Sequence, residues 1–110
     1  MQTNRARRRY LLFKITSDQN QREGDVTDAI QRGVMKLYGI YGLSQIESSL
    51  LEFNEEEQIG ILRCNHLRLR QMRASLAFIN SIGDIPAKIY VLKVSGTLKA
   101  LRSHDDKANK

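Results

Sequence analysis

Residues 49–82 read SLLEFNEEEQIGILRCNHLRLRQMRASLAFINSI, and this stretch predicts a strand pair followed by a long helix. Ser49–Phe53 and Gln58–Cys64 are short runs of apolar residues, as is typical of strands. The four residues between them, 54–57, are polar or acidic and predict a turn. Two strands joined by so short a connection predict a β-hairpin, although no Asn-Gly or Asp-Gly pair marks its turn.

The second half of this stretch changes from the period of a strand to that of a helix. We predict a helix over His66–Ile82, with Asn65 as its N-cap and Gly83 as its C-cap. Its apolar residues recur every three or four positions and form a stripe that is expected to pack on a sheet. The stripe consists of Leu69, Met72, Leu76 and Ile79.

The chain before residue 49 predicts one more strand and one more helix. Tyr10–Thr16 is an apolar run of strand length. A helical face follows, with Asp25 as the expected N-cap and Gly39 or Gly42 as the expected stop. The residues of that face are Val26, Ile30, Gly33, Val34, Leu37 and Tyr41. Gly33 costs helix stability, and close packing against another element is the expected reason.

The chain after residue 83 completes the pattern. Pro86 excludes a continued helix and begins the fourth predicted strand, Ala87–Ser95, and Thr97–Arg102 predicts a short terminal helix. The order β-α-β-β-α-β predicts an α+β fold, a ferredoxin-like or RRM-like sandwich in which an antiparallel sheet carries two main helices and a short C-terminal helix. We divide the chain into a flexible basic arm (1–8), a single RNA-binding α/β domain (9–103) and a polar tail (104–110).

The charge of the chain favours a polyanionic partner. Its 110 residues include 18 Lys and Arg against 12 Asp and Glu, which gives a net charge of +6. Basic residues dominate segments 1–14 and 58–104, whereas acidic residues dominate segment 15–57. We therefore expect a folded domain with a basic side and an acidic side, and the basic side fits a phosphate backbone.

Composition and motifs give no sign of an enzyme or a metalloprotein. The single cysteine, Cys64, allows no internal disulfide and no cysteine-based metal site. The two histidines have no metal-ligand partner at a suitable spacing, and Glu55–Glu57 reads as a solvated turn. We find no nucleophile–base pair, P-loop or dinucleotide fingerprint, and no apolar run of membrane-spanning length. We expect a cytoplasmic protein that binds neither a metal, a cofactor nor a membrane.

Two basic segments are candidate phosphate-binding sites. The first is the cluster Arg5, Arg7, Arg8 and Arg9, which is either an arm that orders on RNA or a solubilising tail. The second is the turn after the last strand, where the Ser95 and Thr97 hydroxyls and the flexible Gly96 are able to hold a phosphate at a helix N-terminus. The basic residues around this turn are Lys93, Lys99 and Arg102. An ordinary capped strand-to-helix turn is the alternative interpretation.

The second helix carries further candidates on its flanks. Arg68 and Arg73 fall on opposite sides of the apolar stripe and are candidates for RNA contact. Leu67 and Phe78 fall on a second apolar strip, opposite the first. This strip is either an exposed surface for a protein partner or is covered by another part of the chain.

The predicted third strand, Gln58–Cys64, lacks the aromatic residues with which an RNA-recognition motif stacks bases. We therefore expect recognition through phosphates and shape.

Three segments together carry a resemblance to a known family. They are RYLLFKI at residues 9–15, GILRC at 60–64 and VSGTLK at 94–99. In order and spacing they resemble the ribonuclease P protein component 2 family, the small archaeal relatives of a eukaryotic ribonuclease P and MRP subunit. The similarity runs from about residue 8 to residue 102 and is weakest over residues 40–49.

The resemblance implies a function. It implies a non-catalytic subunit of ribonuclease P, which removes the 5′ leader of precursor tRNA through a catalytic RNA that holds the magnesium ions. It also implies pairing with protein component 3 as a 2:2 heterotetramer, and only indirect contact with precursor tRNA. The positions that it places near RNA are Arg63, Lys93, Ser95, Gly96, Thr97 and Lys99.

Two functions of other classes share this topology. An acylphosphatase-like enzyme would need a glycine-rich phosphate loop with an arginine after the first strand, but residues 17–24 hold one glycine and two acids. A ligand-binding regulatory module would need an enzyme domain to regulate.

Overall fold

The computed structural model describes residues 7–102, which form a five-stranded antiparallel sheet with helices on both faces. In chain order the elements are β1 (Arg8–Ser17), α1 (Glu23–Ile46), β2 (Ser49–Asn54), β3 (Ile59–Asn65), a 3₁₀ turn (His66–Arg68), α2 (Leu69–Phe78), β4 (Ser81–Ile82) and β5 (Ile85–Ser95). Residues 98–102 are helical and are called α3 here. Residues 1–6 and 103–110 lie outside the described range, so most of the predicted arm and all of the predicted tail do as well.

The strands lie in the order β2-β3-β1-β5-β4, with β1 at the centre. β1 pairs antiparallel with β3 on one side, where Leu11 faces Leu62, and with β5 on the other, where Leu11 faces Val94. This arrangement confirms the predicted ferredoxin-like fold. It adds the two-residue strand β4, which is too short to leave a period in the sequence.

The main core lies between the sheet and the helices α1 and α2. Apolar residues alternate along the strands, so one face of the sheet contributes Leu11, Phe13, Leu62 and Ile89 to this core. Both helices approach each other closely at Gly33, where a Cβ atom would lie 3.0 Å from Cγ1 of Ile79. The predicted close packing at this glycine is confirmed.

The opposite face of the sheet carries a smaller core under α3. Leu101 is fully buried against Leu12 and Ile61, and Leu98 packs beside them. The terminal helix therefore covers the part of this face formed by β1 and β3 and leaves the β5 side uncovered. We call the uncovered part the open face.

The first helix differs from its prediction at both ends. Asp25 is not its N-cap, because the helix begins at Glu23, whose main-chain N–H donates a 2.9 Å hydrogen bond to Oε2 of Glu55 in the hairpin turn. Gly39 interrupts the helix at φ 71° and ψ −172°, but the chain continues as helix to Ile46. The break shifts the buried face, so that Ile46 reaches the core.

The predicted buried face of α1 is wrong in its second half. Leu37 is 39% exposed and Tyr41 75% exposed, although both continue the three- and four-residue spacing of the buried residues before them.

The second helix is shorter than predicted. Asn65 does act as a cap, since its side chain accepts a hydrogen bond from the N–H of Leu67. The helix ends at Phe78 and not at Ile82, because Ser81 and Ile82 leave it to pair with β5. Gly83 is therefore a turn residue with φ 62° and not the predicted helix cap.

Candidate nucleic-acid interface

The antiparallel topology brings three basic chain segments to one end of the sheet. The start of β1 lies beside the end of β3, where Arg8 faces Asn65, and beside the end of β5, where Tyr10 faces Ser95. The 3₁₀ turn and the first turn of α2 follow β3 directly, and α3 follows β5. We call this region the basic end; its residues are Arg7, Arg8, Arg9, His66, Arg68, Arg70 and Lys99.

Local hydrogen bonds fix the positions of residues at the basic end but do not neutralise their charge. The main-chain N–H of His66 donates to the carbonyl oxygen of Arg7 at 3.0 Å. Nη1 of Arg9 donates to the carbonyl oxygen of Arg8 at 3.2 Å, and Nη2 of Arg68 donates to Oε1 of Gln45 at 3.2 Å. These acceptors are neutral, so the guanidinium charges remain uncompensated.

One carboxylate meets the basic end in the described part of the chain. Glu47, which follows α1, lies with Oε1 3.9 Å from Nη1 of Arg8. Both side chains are more than a third exposed, so the pair is a weak solvated contact. The region therefore keeps a net positive charge in the described part of the chain.

The acidic residues gather at the opposite end of the sheet. The hairpin turn after β2 contacts the start of α1 through Glu55, and Nδ2 of Asn20 donates to the carbonyl oxygen of Glu55 at 2.9 Å. The acidic residues of this end are Asp18, Glu23, Asp25, Glu55, Glu56, Glu57 and Asp84. β1 connects the two ends over ten residues, about 33 Å. The same end also holds the basic residues Lys14, Arg22 and Lys88, so acidic residues predominate there without being alone.

The turn after β5 matches the ordinary capped turn that was the alternative interpretation. Oγ of Ser95 accepts a hydrogen bond from the N–H of Thr97 at 3.1 Å, and Oγ1 of Thr97 accepts one from the N–H of Ala100 at 3.3 Å. The hydroxyls thus serve the turn itself. Gly96 is exposed, and a Cβ atom there would lie 3.6 Å from Nη1 of Arg9, so the turn brings Arg9 close to α3.

The other predicted RNA contacts are dispersed over the molecule. Arg63 and Lys93 share the face of the sheet that faces away from α1 and α2, since they pair with Tyr10 and Leu12 of β1. Nε of Arg63 is buried and has no hydrogen-bond acceptor among residues 7–102.

Two predicted contacts lie away from the basic end, and a third is outside the described range. Arg73 is exposed on α2, beside the middle of β5. Arg102 forms a salt bridge with Glu52 of β2, which compensates its charge. Arg5 lies outside the described residues.

The two predicted partner-binding residues are both exposed. Leu67 is 71% exposed and Phe78 is 48% exposed. They lie in front of α2 and at its end, separated by eleven positions or about 16 Å of helix. Their exposure does not support the alternative that another described part of the chain covers them, and contact with a protein partner at this strip stays a prediction.

A larger exposed apolar surface lies on α1. We call it the α1 apolar surface; its residues are Met35, Leu37, Tyr38, Ile40 and Tyr41. Ile40 is 74% exposed and Tyr41 75% exposed. Five large apolar side chains within seven residues exceed the scattered exposure that is normal on a protein surface. The sequence signal for this surface is the run of large apolar residues around Gly39, of which the helical period placed Leu37 and Tyr41 in the predicted buried face.

Two features of the described residues disfavour the enzyme alternative. Cys64 is fully buried, and burial raises the pKa of its thiol to about 11 against a smaller lowering effect of Arg9 and Arg8, so it is no nucleophile at neutral pH. Around the loop after β1, the N–H groups of Gln21 and Glu23 already donate to the side chains of Gln58 and Glu55. A carboxylate there would repel a phosphate, which disfavours the acylphosphatase-like alternative. No described helix has the length and apolar character that crossing a membrane requires.

Comparisons with known proteins agree with this geometry. The chain matches the model of the Rpp14/Pop5 family over residues 9–104. It is 35% identical to ribonuclease P protein component 2 of Methanocaldococcus jannaschii, with 88% of this chain and 71% of that protein covered. It is 32% identical to the component 2 of Pyrococcus furiosus, with 91% and 83% covered.

A solved structure supports the fold. A chain in the cryo-EM structure of yeast ribonuclease MRP superimposes with a TM-score of 0.71, at 16% identity and 97% coverage of both chains. The family match covers nearly all the described residues, from β1 to α3. The chain therefore belongs to the Rpp14/Pop5 family, and archaeal ribonuclease P protein components 2 are among its relatives.

Proposed function

We propose that the chain is a non-catalytic subunit of ribonuclease P that binds and stabilises the catalytic RNA for removal of the 5′ leader from precursor tRNA. The basic end carries this proposal. Arg7, Arg8, Arg9 and Arg68 come from two separate chain segments, and the fold gathers them with one weakly paired carboxylate, Glu47, among the residues that the structure describes. Positive charge held on a rigid scaffold exchanges for the counterions of an RNA backbone.

The chemistry of this subunit follows from charge and position. Guanidinium groups at the basic end neutralise phosphates where RNA helices approach each other, which lowers the repulsion that opposes the active RNA fold. Less metal ion is then needed to reach that fold. In this proposal the magnesium ions of the reaction are held by the RNA, the chain itself binds no cofactor, and precursor tRNA is contacted only indirectly, in the cytoplasm.

The acidic end has a role in the same proposal. Its carboxylates repel phosphates, so an RNA backbone is directed to the opposite end, about 33 Å away. The two ends thus orient the subunit on the RNA before specific contacts form.

The α1 apolar surface supports a protein partner in addition to RNA. We propose that it contacts protein component 3, with two copies of each chain in the assembly. Ile40 and Tyr41 are the most exposed side chains of this surface, and neither side chain belongs to the core. Apolar side chains of this size gain more from burial against a protein than from contact with phosphates.

A reconstitution experiment tests the RNA function. Precursor tRNA cleavage by ribonuclease P RNA is measured with the other protein subunits present and with this chain added or omitted, over a range of magnesium concentrations. The proposal predicts that adding the chain lowers the magnesium concentration at half-maximal cleavage. Unchanged cleavage at every magnesium concentration contradicts it, as does phosphatase or nuclease turnover by the isolated chain.

A pull-down experiment tests the partner proposal separately. The double substitution Ile40→Glu and Tyr41→Lys should abolish co-purification with protein component 3 while leaving RNA affinity unchanged. The control is Leu67→Glu, which changes an equally exposed leucine that lies outside the α1 apolar surface. Equal loss in both variants, or retention in the double variant, contradicts this location of the partner.

A further inference from the structure

The open face carries an exposed tyrosine among lysines. Tyr90 of β5 is 51% exposed, and Leu92, two residues further along, is 47% exposed. Tyr90 faces Lys14 of β1 in the strand register, and Lys88 precedes it by two residues on the same side of the strand. Nζ of Lys14, however, donates to the main-chain carbonyl oxygen of Glu57 in the hairpin turn at 3.3 Å. The strand thus presents an exposed aromatic ring to solvent, with the exposed Lys88 on the same side.

The direction of the Tyr90 side chain follows from its neighbours. Ile89 is buried in the main core and Val91 packs against it, so Tyr90 points to the other face of the sheet. Lys14 likewise lies between the buried Phe13 and Ile15. The ring and the ammonium group therefore share the face on which α3 lies.

α3 stops short of this position. Its leucines bury Leu12 and Ile61, and they pack against Tyr10, which is partly buried. Tyr90 is one step further along β1 and β5, beyond this cluster, since its partner Lys14 follows Leu12 by two residues. Of the two tyrosines on this face of the strands, Tyr10 is covered and Tyr90 is available.

One lysine lies between Tyr90 and the basic end on this face. Ser95 at that end is five residues from Tyr90, roughly 17 Å along β5, and Lys93 lies between them on the same face. A nucleic-acid strand whose phosphates follow Lys93 from the basic end would reach the ring of Tyr90. Phosphate contacts and an aromatic platform are the two elements with which proteins bind single-stranded nucleic acid.

We infer that Tyr90 is a stacking platform for an unpaired RNA base, with Lys93, which lies toward the basic end, holding an adjoining phosphate. The inference rests on the proposed RNA function and goes beyond it, because it predicts that the protein prefers single-stranded RNA that carries bases over an abasic strand of the same charge. It also revises the expectation of recognition through phosphates and shape alone. That expectation was drawn from the missing aromatics of β3, whereas the aromatic here lies on β5.

A binding experiment with the full chain tests the inference. The probes are a single-stranded oligoadenylate and an abasic oligomer of the same length and charge, both titrated at fixed salt. The wild type should bind oligoadenylate more tightly than the abasic oligomer. Tyr90→Ala should lose roughly 5- to 150-fold of the oligoadenylate affinity, the range expected for one stacked base, and none of the abasic affinity. Its salt dependence should stay unchanged, since no charge is removed.

Two further variants separate stacking from a loss of structure. Tyr90→Phe keeps the ring and should keep the affinity. Tyr41→Ala removes a more exposed tyrosine on α1 and should bind oligoadenylate like the wild type. The chain has four tyrosines and no tryptophan, so tyrosine emission is a second readout: oligoadenylate should quench the wild type, and Tyr90→Phe should remove most of that quenching.

Each outcome decides the inference. If Tyr90→Ala binds oligoadenylate as tightly as the wild type, or if Tyr41→Ala loses as much, the stacking platform is wrong even when salt-dependent RNA binding persists. Loss of a protein partner in Tyr90→Ala, with oligoadenylate affinity retained, would assign the open face to a protein instead. If neither probe nor ribonuclease P RNA binds the wild type, the proposed RNA function fails as well.

Discussion

Nδ1 of His66 lies 3.1 Å from the main-chain carbonyl oxygen of Arg7. A carbonyl oxygen only accepts, so Nδ1 carries the proton and donates. The same oxygen also accepts the main-chain N–H of His66 at 3.0 Å. One oxygen of the arginine segment is thus held by two donors of the 3₁₀ turn, and these bonds join the two halves of the basic end.

Removing the imidazole should loosen the basic end without unfolding the protein. His66→Ala loses one of the two bonds and should cost about 0.5–1.5 kcal/mol of unfolding free energy. RNA affinity should fall roughly two- to fivefold, as expected for a cost near 0.5–1 kcal/mol. Urea denaturation and RNA titration measure the two effects. His66→Asn retains a donor near the position of Nδ1 and should lie closer to the wild type; equal losses in both variants would contradict the role of this bond.

A glycine in β3 is required by the stacking of two rings. Phe13 and Phe53 stack with centroids 6.2 Å apart and an interplanar angle of 15°. Both rings face Gly60, where a Cβ atom would lie 2.7 Å from Cζ of Phe13 and 2.9 Å from the carbonyl oxygen of Glu52. Gly60→Ala should therefore destabilise the protein by about 1–3 kcal/mol through overpacking.

The matched control for Gly60 is Gly24, in the first turn of α1. A Cβ atom there meets nothing within 4 Å, and the residue is exposed. Gly24→Ala should be neutral or should stabilise by up to about 1 kcal/mol, because alanine favours helix and restricts the unfolded chain. Thermal or urea unfolding compares the two; a Gly60→Ala variant as stable as Gly24→Ala would show that the rings can move apart.

The buried thiol makes stability depend on pH in the alkaline range. Burial raises the pKa of Cys64 from 9.0 to about 11. Above pH 9 the unfolded chain loses this proton while the folded chain keeps it, so the stability of the fold decreases as pH rises toward 11. The loss from this group amounts to at most about 2–3 kcal/mol.

A cysteine variant isolates this effect from the titration of lysines and tyrosines. Cys64→Ala should be less stable than the wild type at pH 7, because it leaves a small cavity. Between pH 9 and 11 its unfolding free energy should fall less steeply than that of the wild type. If the unfolding free energies of the two proteins fall in parallel over this pH range, the Cys64 thiol is not shielded from solvent in the folded protein.

The spacing of apolar residues predicted which side chains of a regular helix or strand are buried. It did not predict features that depend on contacts between distant parts of the chain. Met72, Leu76 and Ile79 are buried as their spacing indicated, and Asn65 caps its turn. Leu37 and Tyr41 keep the same spacing but are exposed; Tyr41 follows the break at Gly39, after which Ile46 is the residue that reaches the core. Period alone does not reveal where a helix leaves the sheet that it covers.

The site was predictable in its charge and not in its arrangement. Arg8, Arg9 and Arg68 are separated by about sixty positions and meet only because β1 and β3 pair antiparallel. Arg102 has the same charge in the sequence but forms a salt bridge with Glu52. Tyr90 gave no signal among its apolar neighbours until the strand register placed it beside Lys14.

The salt dependence of RNA binding tests the central claim most directly. The triple substitution Arg7→Glu, Arg9→Glu and Arg68→Glu reverses charge at the basic end, and the control Arg22→Glu, Arg32→Glu and Lys36→Glu makes the same change at exposed positions before and along α1. The dissociation constant for ribonuclease P RNA is measured from low to moderate salt.

The slope is that of the logarithm of the dissociation constant against the logarithm of the salt concentration. If the basic end binds the phosphate backbone, this slope should fall by about 2–3 in the triple variant, whereas in the control it should stay within about 1 of the wild-type slope. Equal slopes for the two variants would contradict the account, because they would mean that RNA responds to the net charge of the protein and not to the end of the fold where these arginines meet.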